Sequence, residues 1–219
     1  MTSGGTGLAI MGGTFDPVHF GHLQMAVEAR EALAVDTVAL IPSYYSYHRQ
    51  DPGIDAEMRA HMLALAVAGV EGLAVDRLEL ERKGDSYSLD TVNHFRQRLG
   101  EQVPIVLLLG EDAFATLHEW HEWETLVDRV HLGIIRRQGV IRRLPAKLKK
   151  LIAQRCLSNP QALMCSPGGR LAYLDLTPIG ISASLVRQRI RAGQSIDFLV
   201  PASVKTYIED KQLYRKTVC

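Results

Sequence analysis

The sequence predicts an α/β fold on a mostly parallel sheet, and three observations carry that prediction. Short apolar runs alternate with segments of helical spacing along the chain. Two of the runs, Ile105 to Leu109 and Val130 to Ile135, are continuous rather than alternating, as in strands buried on both faces. Three strand candidates stop at Gly12, Pro42 and Gly110, residues that turn or end a strand.

Taken in order, Leu8 to Met11 is a short apolar run before Gly12-Gly13 and reads as a buried strand. Leu23, Ala26, Val27, Arg30 and Leu33-Ala34 follow at helical spacing. Val38 to Ile41 is β-rich and ends at Pro42. Met58, Met62, Leu65 and Ala66 predict the next helix, and Val75, Leu78 and Leu80 a strand with broken alternation. Val92, Phe95 and Leu99 mark a helix before the Ile105 strand. Lys147 to Arg155 reads as a solvated helix, and Leu171 to Leu176 as a further strand. Two helices close the chain. One is capped by Ser182 or Ser184; the other starts at Pro201, a favoured first helical residue. The sum is a Rossmann-like, doubly wound arrangement with helices on both faces and a small helical part over 182–219. A single domain spans 1–219, with a mobile tail over 1–7. Such folds bind ligands outside the carboxyl ends of the strands.

Composition bounds the function. The chain has 219 residues, 47% of them apolar and 22% charged, values of a folded globular protein. With 25 basic and 24 acidic side chains the net charge is only +1, which argues against a broad nucleic-acid surface. The halves differ, however. Residues 1–135 carry 9 basic and 20 acidic groups, residues 136–219 carry 16 and 4. An anionic partner is one reading of that asymmetry; a solvated helix pairing with the acidic half is the other. Cys156, Cys165 and Cys219 form no disulfide framework. The N-terminus lacks a signal-peptide pattern and no apolar stretch approaches a membrane span, so a cytoplasmic protein without a membrane partner is expected. Oligomeric state is not legible. No P-loop and no G-x-S-x-G elbow occur.

Chemistry concentrates after the first strand, where residues 12–23 read Gly-Gly-Thr-Phe-Asp-Pro-Val-His-Phe-Gly-His-Leu. Gly12 and Gly13 let the backbone approach a ligand closely, and Asp16-Pro17 sets a turn. His19 and His22 flank Gly21 where the helix begins, a position whose free N–H groups and dipole attract phosphate. Zinc ligation or two ordinary surface histidines are the competing readings, and no matching Cys or His pair supports zinc. Near the other end, Ile181-Ser182-Ala183-Ser184-Leu185-Val186-Arg187 places hydroxyls and a guanidinium at a second helix start, again an anion site.

These two segments resemble the signature of the H-x-G-H nucleotidyltransferase superfamily and, more narrowly, of bacterial nicotinate-mononucleotide adenylyltransferases. The resemblance runs from about Gly12 to Tyr214. It implies that His19, His22 and Arg187 act on the phosphates of ATP, with Gly12, Gly13, Thr14, Phe15, Gly21, Ile181, Ser182 and Ser184 forming the ATP site. Gly110-Glu111-Asp112 is similar to a G-x-D element whose Asp112 accepts ribose hydroxyls. Ser86-Tyr87-Ser88 with Thr91 is similar to the element that reads the pyridine carboxylate, and Trp120 matches the tryptophan that stacks on the pyridine. Trp123 is expected in the core. Asp16, His48, Arg49, Tyr87, Ser88, Trp120 and Arg137 are the implied substrate-side residues. Ser46-Tyr47 stands where the family carries Pro-Pro, which predicts a looser substrate loop.

The activity implied is transfer of the adenylyl group of ATP to nicotinate mononucleotide, with Mg²⁺ bridging phosphate oxygens and no protein metal site. Nicotinamide mononucleotide, phosphopantetheine or cytidylyl chemistry, and a non-catalytic nucleotide-binding regulator, are the alternatives.

Overall fold

The computed structural model describes residues 7–44, 54–84, 86–136 and 144–215. Its strands are β1 (Leu8–Gly13), β2 (Thr37–Pro42), β3 (Leu73–Val75), β4 (Ile105–Gly110), β5 (His131–Ile135), β6 (Cys156–Leu157) and β7 (Leu171–Leu174). They form one sheet of order β3-β2-β1-β4-β5-β7-β6, and its neighbouring strands pair in parallel among the described residues. The helices are α1 (Phe20–Leu33), α2 (Ala56–Val67), α3 (Leu78–Arg82), α4 (Ser88–Leu99), α5 (Glu111–Ala115), α6 (Trp123–Arg129), α7 (Ala146–Arg155), α8 (Ala183–Arg191) and α9 (Ala202–Asp210).

The period of two along the strands divides the core. Ala9, Met11, Val38, Leu40, Val106 and Leu108 face the layer of α1, α2, α8 and α9, where Leu23, Met62, Val186 and Ile208 are buried. Ile10, Ala39, Ile41, Ile105, Leu107 and Ile134 face the opposite layer, where Phe95, Phe114, Leu126 and Leu148 pack. The doubly wound architecture follows from both faces of these strands being apolar.

Local departures from the sequence reading have physical causes. Leu78 and Leu80 belong to α3, not to a strand; β3 stops at Val75, and the Asp76 carboxylate accepts the Leu78 N–H, 3.0 Å, which begins a helical turn. The buried face of α2 is Arg59, Met62, Leu63 and Ala66 rather than one led by Met58, which is exposed. The last long strand ends at Leu174, leaving Leu176 in the following loop. Ser182, not Ser184, caps α8, accepting the Leu185 N–H at 3.1 Å. Pro201 is the cap residue of α9 and not its first turn. Gly7, at the edge of the expected tail, is buried, and a Cβ there would lie 2.4 Å from the Pro104 carbonyl. Lys147, Lys149 and Lys150 are exposed on α7 as expected, and Arg155 pairs with Asp128 at 2.5 Å.

Two buried polar side chains lock the amino end of the sheet. Arg96, 2% exposed, donates to the carbonyls of Arg129, Pro167, Glu101 and Val103. His131, fully buried, accepts the Arg170 N–H on Nδ1 at 3.1 Å, and its Nε2 lies 2.8 Å from the Ser166 carbonyl. Those partners make the ring a neutral Nε2–H tautomer. Both residues therefore tie the loop before β7 to its neighbours.

Candidate active site

β1 and β4 lie side by side at the centre of the sheet, while the chain leaves β1 towards β2 and leaves β4 towards β5. The connections therefore part at the carboxyl ends of these two strands and open a crevice. The glycine-rich motif emerges from one strand and Gly110-Glu111-Asp112 from the other.

The turn after β1 is tightly held. Phe15 is buried with φ of 46°, a left-handed conformation that a non-glycine residue keeps only when its surroundings impose it. Gly13 accommodates this turn, since a Cβ there would meet the Phe15 ring at 3.2 Å. Arg59 on α2, 6% exposed, donates to the carbonyls of Thr14 (2.5 Å), Ser43 (2.7 Å) and Ile54 (3.3 Å). One guanidinium thus fixes the ends of β1 and β2 against the start of α2.

His19 is the cap residue of α1 and His22 lies in its first turn. Their rings stack with centroids 3.7 Å apart at 24°, and the Phe15 ring meets His22 edge-on at 5.1 Å. The His19 backbone N–H donates to His22 Nδ1 at 3.3 Å. With Nδ1 as acceptor, the neutral His22 ring carries its proton on Nε2, a donor. Space at Gly21 is tight: a Cβ would sit 3.0 Å from His19 Nδ1 and 3.4 Å from the Ile181 carbonyl.

That contact brings the two motifs together. A cleft of about 550 Å³ is lined by Thr14, Asp16, His19, Gly21 and His22 on one side and by Ile181, Ser182 and Ser184 on the other, with Arg136 at the end of β5. The amino ends of α1 and α8 both border it, and their free N–H groups and dipoles favour an anion there. Asp16 is 3% exposed. Its Oδ1 accepts the Tyr214 hydroxyl at 2.6 Å, and its Oδ2 lies 3.8 Å from Arg187. Arg187 donates to the Asp16 backbone carbonyl at 2.6 Å and to Ser184 Oγ at 3.2 Å, so it stands behind the cleft wall and does not line the cleft.

The other expected residues lie on α4, α5 and the segment before α6. Gly110 caps α5, Asp112 lies in its first turn, and neither lines the cleft of the histidines. Tyr87 caps α4, which begins at Ser88. The Tyr87 ring packs on His121 at 4.5 Å, which joins the start of α4 to the segment carrying Trp120. Trp120 and Trp123 are both partly buried against the same core layer. Thr91 is 4% exposed and donates its hydroxyl to Glu79 at 2.9 Å, so it fixes α4 against α3. His48, Arg49 and Arg137 lie outside the described residues. Among the described residues no group of three or more His, Cys, Asp or Glu could hold a metal ion, and no helix is long and apolar enough to cross a membrane.

Arg59 is a contributor that residue patterns do not single out, and the resemblance takes in Leu213-Tyr214 only as part of a closing helix, with no partner for the Tyr214 hydroxyl. Arg59 stands at helical spacing ahead of Met62, Leu63 and Ala66, and a charge on an apolar stripe is the signal that marks it. Tyr214 leaves no such trace, because its partner lies 198 residues away.

The cytidylyltransferase-like family matches residues 10–189. The chain is 46% identical over 208 residues to a protein of Chromohalobacter salexigens named nicotinate-nucleotide adenylyltransferase, covering 94% of this chain and 95% of that one. A Pseudomonas aeruginosa protein of the same name is 42% identical over 211 residues, covering 96% and 98%. The solved structure of Plasmodium falciparum nicotinic acid mononucleotide adenylyltransferase complexed with NaAD matches with a TM-score of 0.72 at 16% identity, covering 94% of this chain and 96% of that one. At that identity it speaks for the fold. A shared motif set, a shared sheet and nearly full-length similarity converge: the chain belongs to the nicotinate-nucleotide adenylyltransferase family of cytidylyltransferase-like enzymes.

Proposed function

We propose that this chain transfers the adenylyl group of ATP to nicotinate mononucleotide, releasing pyrophosphate and forming nicotinate adenine dinucleotide for NAD biosynthesis. The observation that carries the reading is the pair of helix starts, α1 with His19 and His22 and α8 with Ser182 and Ser184, bordering one cleft. An oxygen of the 5′-phosphate forms a bond to the α-phosphorus of ATP in line. The bond from that phosphorus to the bridging oxygen breaks, and its electron pair leaves with pyrophosphate. A phosphate monoester, with a second pKa of about 6, is already largely dianionic at neutral pH, so no side chain needs to remove a proton. Catalysis rests on position and charge.

In this reading His19 and His22 donate to the phosphates, and the amides of α8 with Ser182 and Ser184 receive the pyrophosphate end. Arg187 lends positive charge to the same phosphates from behind the cleft wall, where Ser184 and the Asp16 carbonyl hold its guanidinium in register. Gly12, Gly13, Thr14, Phe15 and Gly21 shape the ATP site, and Asp112 accepts ribose hydroxyls from the β4 side. Tyr87, Ser88 and Trp120 hold the pyridine ring and its carboxylate. His48, Arg49 and Arg137 keep the substrate-side role that the resemblance implies. Mg²⁺ would be held by the nucleotide's phosphates and water with few protein ligands, and would supply charge neutralisation there.

The test is a pyrophosphate-release assay with ATP, Mg²⁺ and a panel of nicotinate mononucleotide, nicotinamide mononucleotide and phosphopantetheine. The highest kcat/KM is expected for nicotinate mononucleotide. ATP binding without pyrophosphate release, or a preference for another acceptor, overturns the reading.

A further inference from the structure

Residues 175–181 connect β7 to α8 without regular secondary structure, and together they form one wall of the cleft: Leu176, Thr177, Pro178, Ile179, Gly180 and Ile181 all line it. An irregular wall must be ordered for a ligand to bind tightly, and ordering backbone is unfavourable. Attachment points on rigid elements lower that penalty.

Two bonds attach the wall, and a third place lies close to α1. At its start Asp175 pairs with Arg136 at 3.0 Å. At its end the Ile181 carbonyl lies 3.4 Å from where a Cβ on Gly21 would stand. Midway, the Thr177 N–H donates to Glu28 Oε2 at 2.6 Å. The other oxygen, Glu28 Oε1, accepts Gln24 Nε2 at 2.6 Å, so both carboxylate oxygens are engaged and the side chain is held. Burial opposes ionisation of Glu28, but the hydrogen bonds from Gln24 and Thr177 outweigh it and keep the carboxyl below its ordinary range. The bond to Thr177 is therefore charge-assisted.

Glu28 lies on α1, nine residues beyond His19 and about 13 Å along the same helix axis at 1.5 Å per residue. One rigid helix thus carries the histidine pair at its start and the anchor of the opposing wall two turns later. We propose that Glu28 is a positioning residue for nucleotide affinity: it sets the wall formed by residues 175–181 at a fixed spacing from His19 and His22. This rests on the reading that ATP occupies this cleft.

The experiment compares wild type, Glu28→Ala and Glu28→Gln by calorimetry with a non-hydrolysable ATP analogue and, separately, with nicotinate mononucleotide. Glu28→Ala is expected to raise Kd for the analogue roughly tenfold, the loss of one charge-assisted hydrogen bond, with Kd for the mononucleotide changed less than twofold. Glu28→Gln keeps an acceptor for Thr177 and is expected to recover part of the loss. An unchanged analogue Kd in Glu28→Ala, or equal weakening of both ligands, overturns the proposal. If Glu28→Ala does not fold, Glu28→Gln alone decides: it must weaken the analogue relative to the mononucleotide, and an unchanged ratio overturns the proposal. Wild type that fails to bind the analogue instead overturns the functional reading beneath it.

Discussion

The Tyr214 hydroxyl donates to Asp16 Oδ1 at 2.6 Å, closing the last described turn of the chain onto the loop that carries His19. Burial, and then the Asp16 charge beside it, push the phenol far above its ordinary pKa, so it remains a donor throughout the working pH range. Asp16 in turn faces Arg187. Tyr214→Phe keeps the ring and removes only the donor. It is expected to lower stability by about 1.5–3 kcal/mol, the range for a hydrogen bond to a charged group, and to reduce kcat several-fold. Urea unfolding and steady-state kinetics check both.

His22→Ala removes a donor held at the start of α1 and leaves Phe15 without its edge contact. Loss of one transition-state donor lowers kcat by roughly 10²–10³. Pyrophosphate release from saturating substrates measures it, and near-normal turnover would contradict the role given to His22.

Trp120 is partly buried against the core layer and directly precedes His121, which packs on Tyr87; the proposed function has an electron-poor pyridine stacking on its indole. Trp120→Ala is expected to raise KM for nicotinate mononucleotide roughly tenfold, about 1.4 kcal/mol of binding, with much less change for ATP. Equal changes in both KM values would assign the ring to packing instead.

His131 predicts a pH dependence of stability. Burial holds the ring below the ordinary imidazole range, partly offset by its backbone hydrogen bonds. The native ring then binds fewer protons than the unfolded one, so its contribution is complete above pH about 6.5 and is lost as pH falls through that value towards the depressed native pKa. One such group changes stability by at most about 1.4 kcal/mol per pH unit. His131→Gln is expected to be less stable than wild type at pH 7.5 and to lie closer to it at pH 5. Unfolding by urea at three pH values tests this; a constant gap would mean that the ring is not held neutral.

The parallel sheet was legible because both faces of its central strands are apolar, and continuous runs such as Ile105 to Leu109 admit few other fates. The two helix-start motifs were legible because their geometry is local: His19, Gly21 and His22 occupy one turn of α1, as do Ser182 and Ser184 at α8. The α3 helix was not, because Leu78 and Leu80 alternate like a strand over too few residues for either period to prevail. Met58 was misplaced on the buried face of α2 for a related reason. A shift of one residue on a helix exchanges Met58 for Arg59, and only the carbonyls of Thr14 and Ser43 explain why a guanidinium is buried there.

By itself, then, the sequence determined the fold class and the chemical character of the two helix starts, because periodicity, glycine placement and capping act over a few residues. Only the tertiary structure decided that these starts share one cleft, that Arg187 stands behind it on Asp16, and that Glu28 and Tyr214 brace it. Those pairings join residues 149, 171 and 198 positions apart. No local pattern encodes them, since the sheet order, not the spacing along the chain, brings their partners together.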